Sequence, residues 1–158
     1  MALEQEGELP AFKSNWKWRG GALAGFVATV VMGGAMMAMD LGTLQDAIAG
    51  LYGMSGSIVA GWVAHLAHGT LFGTVFALLL ADPGLYRLTE WRWKTLVAGV
   101  VYALVLAVVG AGIIMPIWLD VAGFSTPPTV PFVTTSLLVW HLVYGLVLGA
   151  IFPSVEHF

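Results

Sequence analysis

Two histidines lie inside apolar stretches of the sequence, where an ionisable side chain is a functional-site hypothesis by default. His65 and His141 each begin the pattern His-Leu-x-x-Gly-x-x-x-Gly-x-x-Phe, and the two copies are 76 residues apart (141 − 65 = 76). Residues four apart share one face of a helix, so each histidine and its two glycines line a single face. The repeated pattern therefore predicts two equivalent helices that present a histidine above a glycine stripe.

This arrangement favours haem b as a cofactor. Two neutral imidazoles from facing helices are suitable axial ligands, and glycines one turn away leave space for a flat macrocycle beside the backbone. The predicted cofactor-binding residues are His65, His141, Gly69 and Gly145. Covalent attachment is excluded because the chain has no cysteine.

A structural interpretation of the same residues stays open. A neutral histidine can hydrogen-bond to a hydroxyl on another helix, with candidates at Thr70, Thr74 and Thr135, and such bonds are common in membrane bundles. Glycines four residues apart also let two helix backbones approach closely. We therefore predict a packing seam at Gly61, Gly73 and Gly149.

Methionines and a third histidine form a weaker candidate metal site. Met32 and Met36 share a helix face, Met39 falls close to it, and thioether sulfur suits Cu(I). His68, three residues after His65, is a further ligand or proton-relay candidate. Gap-filling is the favoured interpretation of the methionines, because no Met- or His-rich segment collects metal.

Composition indicates the environment in which these residues act. The 158 residues are 59% hydrophobic and 9% charged, with a mean hydropathy of +0.88. A soluble domain is about 25% charged, so an integral membrane protein in contact with the lipid bilayer is expected. The six basic residues are too few for a nucleic-acid interface. No catalytic triad order, paired carboxylates or phosphate-binding loop is present, so we do not expect an enzyme.

Four segments are long and apolar enough to cross a bilayer, which predicts an all-α polytopic protein. They are Gly20–Leu41, Ile58–Ala81, Thr95–Leu119 and Pro131–Phe152. At 1.5 Å per residue, His65 lies about 10 Å and His141 about 15 Å below the starts of their spans. Residues 43–52, in the longest connection, have helical periodicity and are expected to lie in the membrane interface.

The basic residues predict the orientation. All six precede the first or third span, and the loops after those spans have none: they are Lys13, Lys17, Arg19, Arg87, Arg92 and Lys94. The positive-inside rule then places both termini in the cytoplasm. A multi-pass protein of the cell membrane is expected.

The chain contains an internal repeat. Trp16-Lys-Trp-Arg19 reappears as Trp91-Arg-Trp-Lys94, 75 residues later (91 − 16 = 75), close to the offset of the histidine motifs. We predict a cytoplasmic tail at 1–19, a two-helix repeat at 20–81, a cytoplasmic loop at 82–94, a second repeat at 95–153 and a tail at 154–158. Each unit has two spans, so the repeats are parallel and related by a pseudo-twofold along the membrane normal.

The segment His141-Leu-Val-Tyr-Gly145-Leu-Val-Leu-Gly149 resembles a family of small four-helix membrane proteins found mainly in halophilic archaea. Members are sometimes labelled histidine kinases, but this chain has no room for a nucleotide-binding domain. The resemblance implies the four-span fold and importance for the motif residues, including Tyr144. It implies no activity.

Three functions follow from these patterns. The favoured one is a small subunit of a larger membrane complex, such as a respiratory or electron-transfer assembly, in which the histidine pair holds haem b or packs. The second is a channel or carrier for a small solute, protons or Cu(I), with its site between the repeats. The third is a structural scaffold that associates with other subunits or with copies of itself.

Overall fold

The computed structural model describes residues 18–158, and all regular secondary structure over that range is helical. The helices are α1 (Trp18–Met39), α2 (Ile58–Leu80), α3 (Arg92–Val105), α4 (Met115–Val121) and α5 (Thr135–Val155). A π-helical segment, Leu106–Ile114, joins α3 to α4 without a break, so that the third span runs over Arg92–Val121. The predicted all-α fold with four apolar spans is confirmed.

These four spans are long and apolar enough to cross a membrane. Their outward surfaces carry large apolar side chains, such as Val59, which is 70% exposed, and Val63, which is 64% exposed. Aliphatic side chains on the outside of a bundle are stable in lipid rather than in water. The chain is therefore a multi-pass membrane protein.

The fourth span begins later than predicted. Residues 131–134 are not helical, and α5 begins after Thr134, whose side chain accepts a hydrogen bond from the Leu137 N–H at 3.1 Å. His141 is then six residues into its helix (141 − 135 = 6) and His65 is seven (65 − 58 = 7). At 1.5 Å per residue the two histidines lie about 9 and 10 Å from their helix starts. They share one depth, in contrast to the 10 and 15 Å expected from the sequence.

The third span begins earlier than predicted, at Arg92 rather than Thr95. Trp91 is extended and its carbonyl accepts from the Lys94 and Thr95 N–H groups, so the basic residues form the first turn. Further along, the Gly112 carbonyl accepts a hydrogen bond from the Phe132 N–H at 2.8 Å. Four residues after Gly112 stands Pro116, which has no N–H, so Phe132 supplies a donor that the helix cannot.

The bundle is arranged so that α1 packs on α2 and α5, and α5 also packs on α3. The remaining side, between α2 and α3, is bridged by Tyr102, whose ring lies 5.3 Å from that of Phe76. Its hydroxyl donates to the Phe72 carbonyl oxygen at 2.8 Å. Helices α2 and α5 are parallel and lie diagonally across the interior, where the rings of Phe76 and Phe152 are 5.4 Å apart.

The two repeats use equivalent glycines for their closest contacts. A Cβ added to Gly25 would lie 2.5 Å from the Gly69 carbonyl oxygen. One added to Gly99 would lie 2.6 Å from the carbonyl oxygen of Gly145. These pairs match across the repeat, since 99 − 25 = 74 and 145 − 69 = 76. Gly73 and Gly149 lie one turn further along the same contacts. Helix pairs α1–α2 and α3–α5 therefore pack in the same way.

The two longer connections, residues 40–57 and 122–134, meet at one end of the bundle, called here the loop end. The first contains a π-helical turn, Thr43–Ile48, so the predicted helical periodicity is seen there. Its Leu44 is fully buried, and the Leu44 carbonyl oxygen contacts the Cα of Gly61 so closely that a Cβ would overlap it. Gly61 thus packs against this connection, whereas Gly73 and Gly149 pack against helices. The opposite end, with residues 81–91, is the basic end.

Candidate functional site

His65 occupies the interior of α2 and is 6% exposed. Its ring lies beside Gly33 of α1 and meets Trp62 edge-on, with ring centroids 6.1 Å apart. The backbone of Thr29 lies within hydrogen-bonding range of the ring. Within the described residues, Nε2 of His65 has no hydrogen-bond partner. A buried polar atom of this kind is uncommon in native structures and marks a site of interest.

Trp140, on α5, has the same property. It is 3% exposed, and its indole Nε1 has no partner in the described part of the chain. One turn closer to the basic end, the Tyr144 hydroxyl donates to the Gly69 carbonyl oxygen at 2.8 Å. Because α2 and α5 are parallel, one turn toward the loop end from this bond brings His65 and Trp140 to the same depth.

His141 is half-buried and forms a hydrogen bond within its own helix, from Nδ1 to the Leu137 carbonyl oxygen at 2.8 Å. His68 and His141 both lie close enough to His65 for an electrostatic interaction. The structure thus brings the three histidines of the membrane region into one neighbourhood. They occupy the half of the bundle nearer the loop end.

The threonines expected to bond to a histidine across helices do not do so. Thr70 donates to the Leu66 carbonyl oxygen at 2.7 Å and Thr74 to the Thr70 carbonyl oxygen at 3.0 Å, both inside α2. A threonine hydroxyl readily returns to the carbonyl four residues earlier, which satisfies it locally. Tyr102 and Tyr144 make the interhelical bonds instead, because a phenol reaches further from its backbone.

His68 lies three residues further along α2 than His65, toward the basic end. Its Nε2 is 2.6 Å from the Tyr52 hydroxyl, and its ring centroid is 6.4 Å from that of Phe72. Tyr52 also lies beside Trp118, whose Nε1–H donates to the Leu51 carbonyl oxygen at 3.0 Å. The first long connection is therefore tied both to α2 and to α4 near His68.

The methionines of the predicted metal site differ in exposure. Met32 and Met36 are 7% and 1% exposed and belong to the apolar core, whereas Met39 is 51% exposed. The Nε2 atom of His68 is bonded to the Tyr52 hydroxyl. Over residues 18–158, no three His, Asp or Glu side chains come together as metal ligands. The packing agrees with the gap-filling interpretation of the methionines.

The glycine faces expected to accommodate haem are filled by the chain itself. A Cβ on Gly69 would overlap the Thr29 side chain, and one on Gly145 would lie 2.6 Å from the Gly99 carbonyl oxygen. Across the interior, the Tyr144 hydroxyl reaches Gly69. The residues around the two histidines do not fit a flat macrocycle, so no step below involves haem.

Sequence reasoning about the site missed Trp140 and Tyr102. One signal for Trp140 was available, since the buried positions of α5 recur every three or four residues: Leu137, Trp140, Tyr144, Leu148 and Phe152. An indole on that face brings one N–H donor into an apolar interior. Tyr102 gave no comparable signal, because its partner is a backbone carbonyl.

No protein-family model matches the sequence, and comparisons with curated proteins and with solved structures give no match. The resemblance of the His141 segment to the four-helix family of halophilic archaea therefore stays a prediction. The geometry of the described residues alone supports the proposals that follow.

Proposed function

We propose that the protein is a channel or carrier for a small hydrogen-bonding solute or for protons, with its site between the two repeats. One observation carries this proposal: His65 is buried with an unpartnered Nε2, in a neighbourhood shared with His68 and His141. Ionisable residues inside a membrane bundle commonly mark solute pathways and proton relays. Sites between internal repeats are a feature of many transporters.

The surroundings suggest how a solute reaches His65. From the loop end, His65 comes first on α2, and His68, which is bonded to Tyr52 of the first long connection, follows three residues deeper. Beyond His65 toward the basic end, Tyr144 and the paired rings of Phe76 and Phe152 fill the interior. In this conformation the site is therefore closer to the loop end, and release at the basic end requires the aromatic side chains to move.

Reconstitution in liposomes tests the proposal. Proton entry driven by a potassium diffusion potential is followed with an internal pH-sensitive dye, and water efflux is followed by light scattering after an osmotic step. We expect at least one rate to exceed that of empty liposomes and to fall in His65→Phe. His157→Gln, on a side chain 82% exposed at the chain end, is the matched control and should keep the wild-type rate. If proton entry and water efflux are both no faster than in empty liposomes, transport of protons and of water is refuted.

A second function, as a subunit of a larger membrane complex, is favoured by the third span. Only 22% of its most apolar window is buried, compared with 39% in each of the other three spans. That leaves a broad aliphatic surface for a partner helix as well as for lipid. Gentle extraction from the native membrane followed by native mass measurement tests this function, and an isolated single chain would argue against it.

A further inference from the structure

We propose that His65 and Trp140 together bind one small neutral molecule, of the size of water or ammonia, that both accepts and donates a hydrogen bond. As a step in permeation this inference rests on the proposed function. As a binding site it can be measured separately, because its occupancy is observable in a protein that transports nothing. Both side chains are more than nine-tenths buried, and neither ring nitrogen named here has a partner within the described residues.

The register of α2 and α5 brings the two side chains to one level. The Tyr144 hydroxyl bond to Gly69 fixes the relative depth of the helices, and both helices run from the loop end to the basic end. Trp140 and His65 are each four residues before those partners, which is one turn toward the loop end (144 − 140 = 4; 69 − 65 = 4). Trp140 and Tyr144 both lie on the buried face of α5, and His65 and Gly69 both lie on that of α2.

The chemistry of the two nitrogens selects the ligand. Nε2 is the orphaned nitrogen of the ring and the Thr29 N–H is used inside α1, so we assign the other nitrogen, as Nδ1–H, to the Thr29 carbonyl oxygen. The hydrogen bond made by one ring nitrogen sets the tautomer, so Nε2 is an acceptor. An indole nitrogen only donates. The bound molecule must therefore accept from Trp140 and donate to His65.

Other ligand classes fail one of these conditions. An ammonium ion or a metal cation cannot accept the indole hydrogen. Chloride cannot donate to the imidazole, and a bare anion is costly in an apolar interior. The surrounding core is aliphatic and aromatic, with Met32, Met36 and Ala64 in the same cluster as Trp140. A neutral molecule that makes two hydrogen bonds is the ligand that satisfies both nitrogens.

Nuclear magnetic resonance of the full chain in lipid nanodiscs, with ¹⁵N-labelled tryptophan and histidine, tests this. We expect the Trp140 indole proton to show a cross-peak at the water frequency, or a saturable shift when ammonia is titrated at constant pH. The first result identifies water as the ligand and the second identifies ammonia. The Trp140 signal is assigned by its loss in Trp140→Phe, and Trp93→Phe, on an indole side chain at the basic end, is the control that must retain it.

His65→Phe should abolish the cross-peak or the ammonia shift while the Trp140 indole signal persists. A scalar coupling across the hydrogen bond between Trp140 Nε1 and His65 Nε2 in the wild type would overturn the proposal, because the two rings would then bond directly. An indole proton without a water cross-peak and without an ammonia shift would also overturn it. Both measurements are made on the wild-type chain, and a variant is needed only to assign the Trp140 signal. If the liposomes show transport but the Trp140 indole shows neither the water cross-peak nor the ammonia shift, this inference is refuted and the proposed function is not.

Discussion

The Tyr144 hydroxyl donates to the carbonyl oxygen of Gly69 at 2.8 Å, a bond that crosses the bundle from the second repeat to the first. In the repeat alignment Tyr144 corresponds to His68, since 144 − 68 = 76, and His68 is the residue that precedes Gly69. In the second repeat, the Tyr144 side chain thus reaches across the interior. In the first repeat, the equivalent side chain, His68, bonds to Tyr52 of the first long connection. The two repeats are therefore not equivalent at this position, because the two side chains have different partners.

Tyr144→Phe removes the cross-bundle hydroxyl and keeps the ring. We expect the free energy of unfolding to fall by about 0.5–2 kcal/mol, because interhelical hydrogen bonds in membranes are of this size. Denaturation in mixed detergent micelles measures the change. Leu146→Met, on a side chain of the same helix that is 41% exposed, is the control and should leave the unfolding of the bundle near the wild-type value. Equal losses in the two variants would contradict a specific role for Tyr144.

Gly69→Ala is expected to destabilise the α1–α2 pair by about 1–3 kcal/mol, because the added methyl group overlaps the Thr29 side chain. Thr29→Gly in the same chain removes the overlapping atoms and should recover part of the loss. Gly34→Ala is the matched control, since a Cβ there meets nothing within 4 Å among residues 18–158. It should be neutral or stabilise α1 by up to about 1 kcal/mol. A double-variant cycle with no coupling would argue against the contact.

Tyr52→Phe is expected to loosen the first long connection. Losing the hydrogen bond to His68 removes about 1 kcal/mol of local stability, which corresponds to about fivefold faster amide hydrogen exchange in residues 40–57. Mass spectrometry of peptides from this segment gives the rate. Met54→Leu, in the same connection and 56% exposed, is the control. Unchanged exchange in Tyr52→Phe would show that the bond does not hold the connection in place.

Cysteine accessibility tests the orientation that the basic residues predict. The chain has no cysteine, so single substitutions can be labelled without background. We expect Ser55→Cys, at the loop end, to react with an impermeant maleimide on intact cells. Glu90→Cys, at the basic end, should react only after the membrane is opened. The reverse pattern would place the loop end in the cytoplasm and invert the predicted topology.

Haem titration tests the fit argument. Because the glycine faces of α2 and α5 are filled by other residues, we expect haemin added to the nanodisc protein to give the spectrum seen with empty nanodiscs. The measurement is the Soret band at increasing haemin. A saturable shift of that band that disappears in His65→Ala and in His141→Ala would show that the helices separate enough to bind haem.

The four spans could be predicted because a bilayer requires long apolar segments and little else satisfies that requirement. The glycine contacts could be predicted from spacing, because Gly69 and Gly73 share a face on any helix. The start of α5 could not be predicted, since it depends on the Thr134 side chain and on the bond between Phe132 and Gly112. These are contacts with the next turn and with another span, which hydropathy does not register.

The histidines show a similar limit. Their place inside the bundle was accessible from the repeat, but their equal depth and their partners were not. His141 bonds to its own helix, and His68 bonds to a loop tyrosine. Both choices depend on rotamers and on where the connection folds. The unpartnered Trp140 nitrogen was equally hidden, because an indole in an apolar helix resembles ordinary packing until its neighbours are known.

The joining of both units in one chain has a consequence for the difference at positions 68 and 144. A dimer of identical two-helix units would have the same residue at both places, so one side chain would need to serve both the interior and the exposed side of the bundle. In a single polypeptide, positions 68 and 144 can carry different residues. A phenol can hold the centre while an imidazole remains near the surface, and each can change by mutation without altering the other. Sequence variation at one of these positions should therefore be independent of variation at the other.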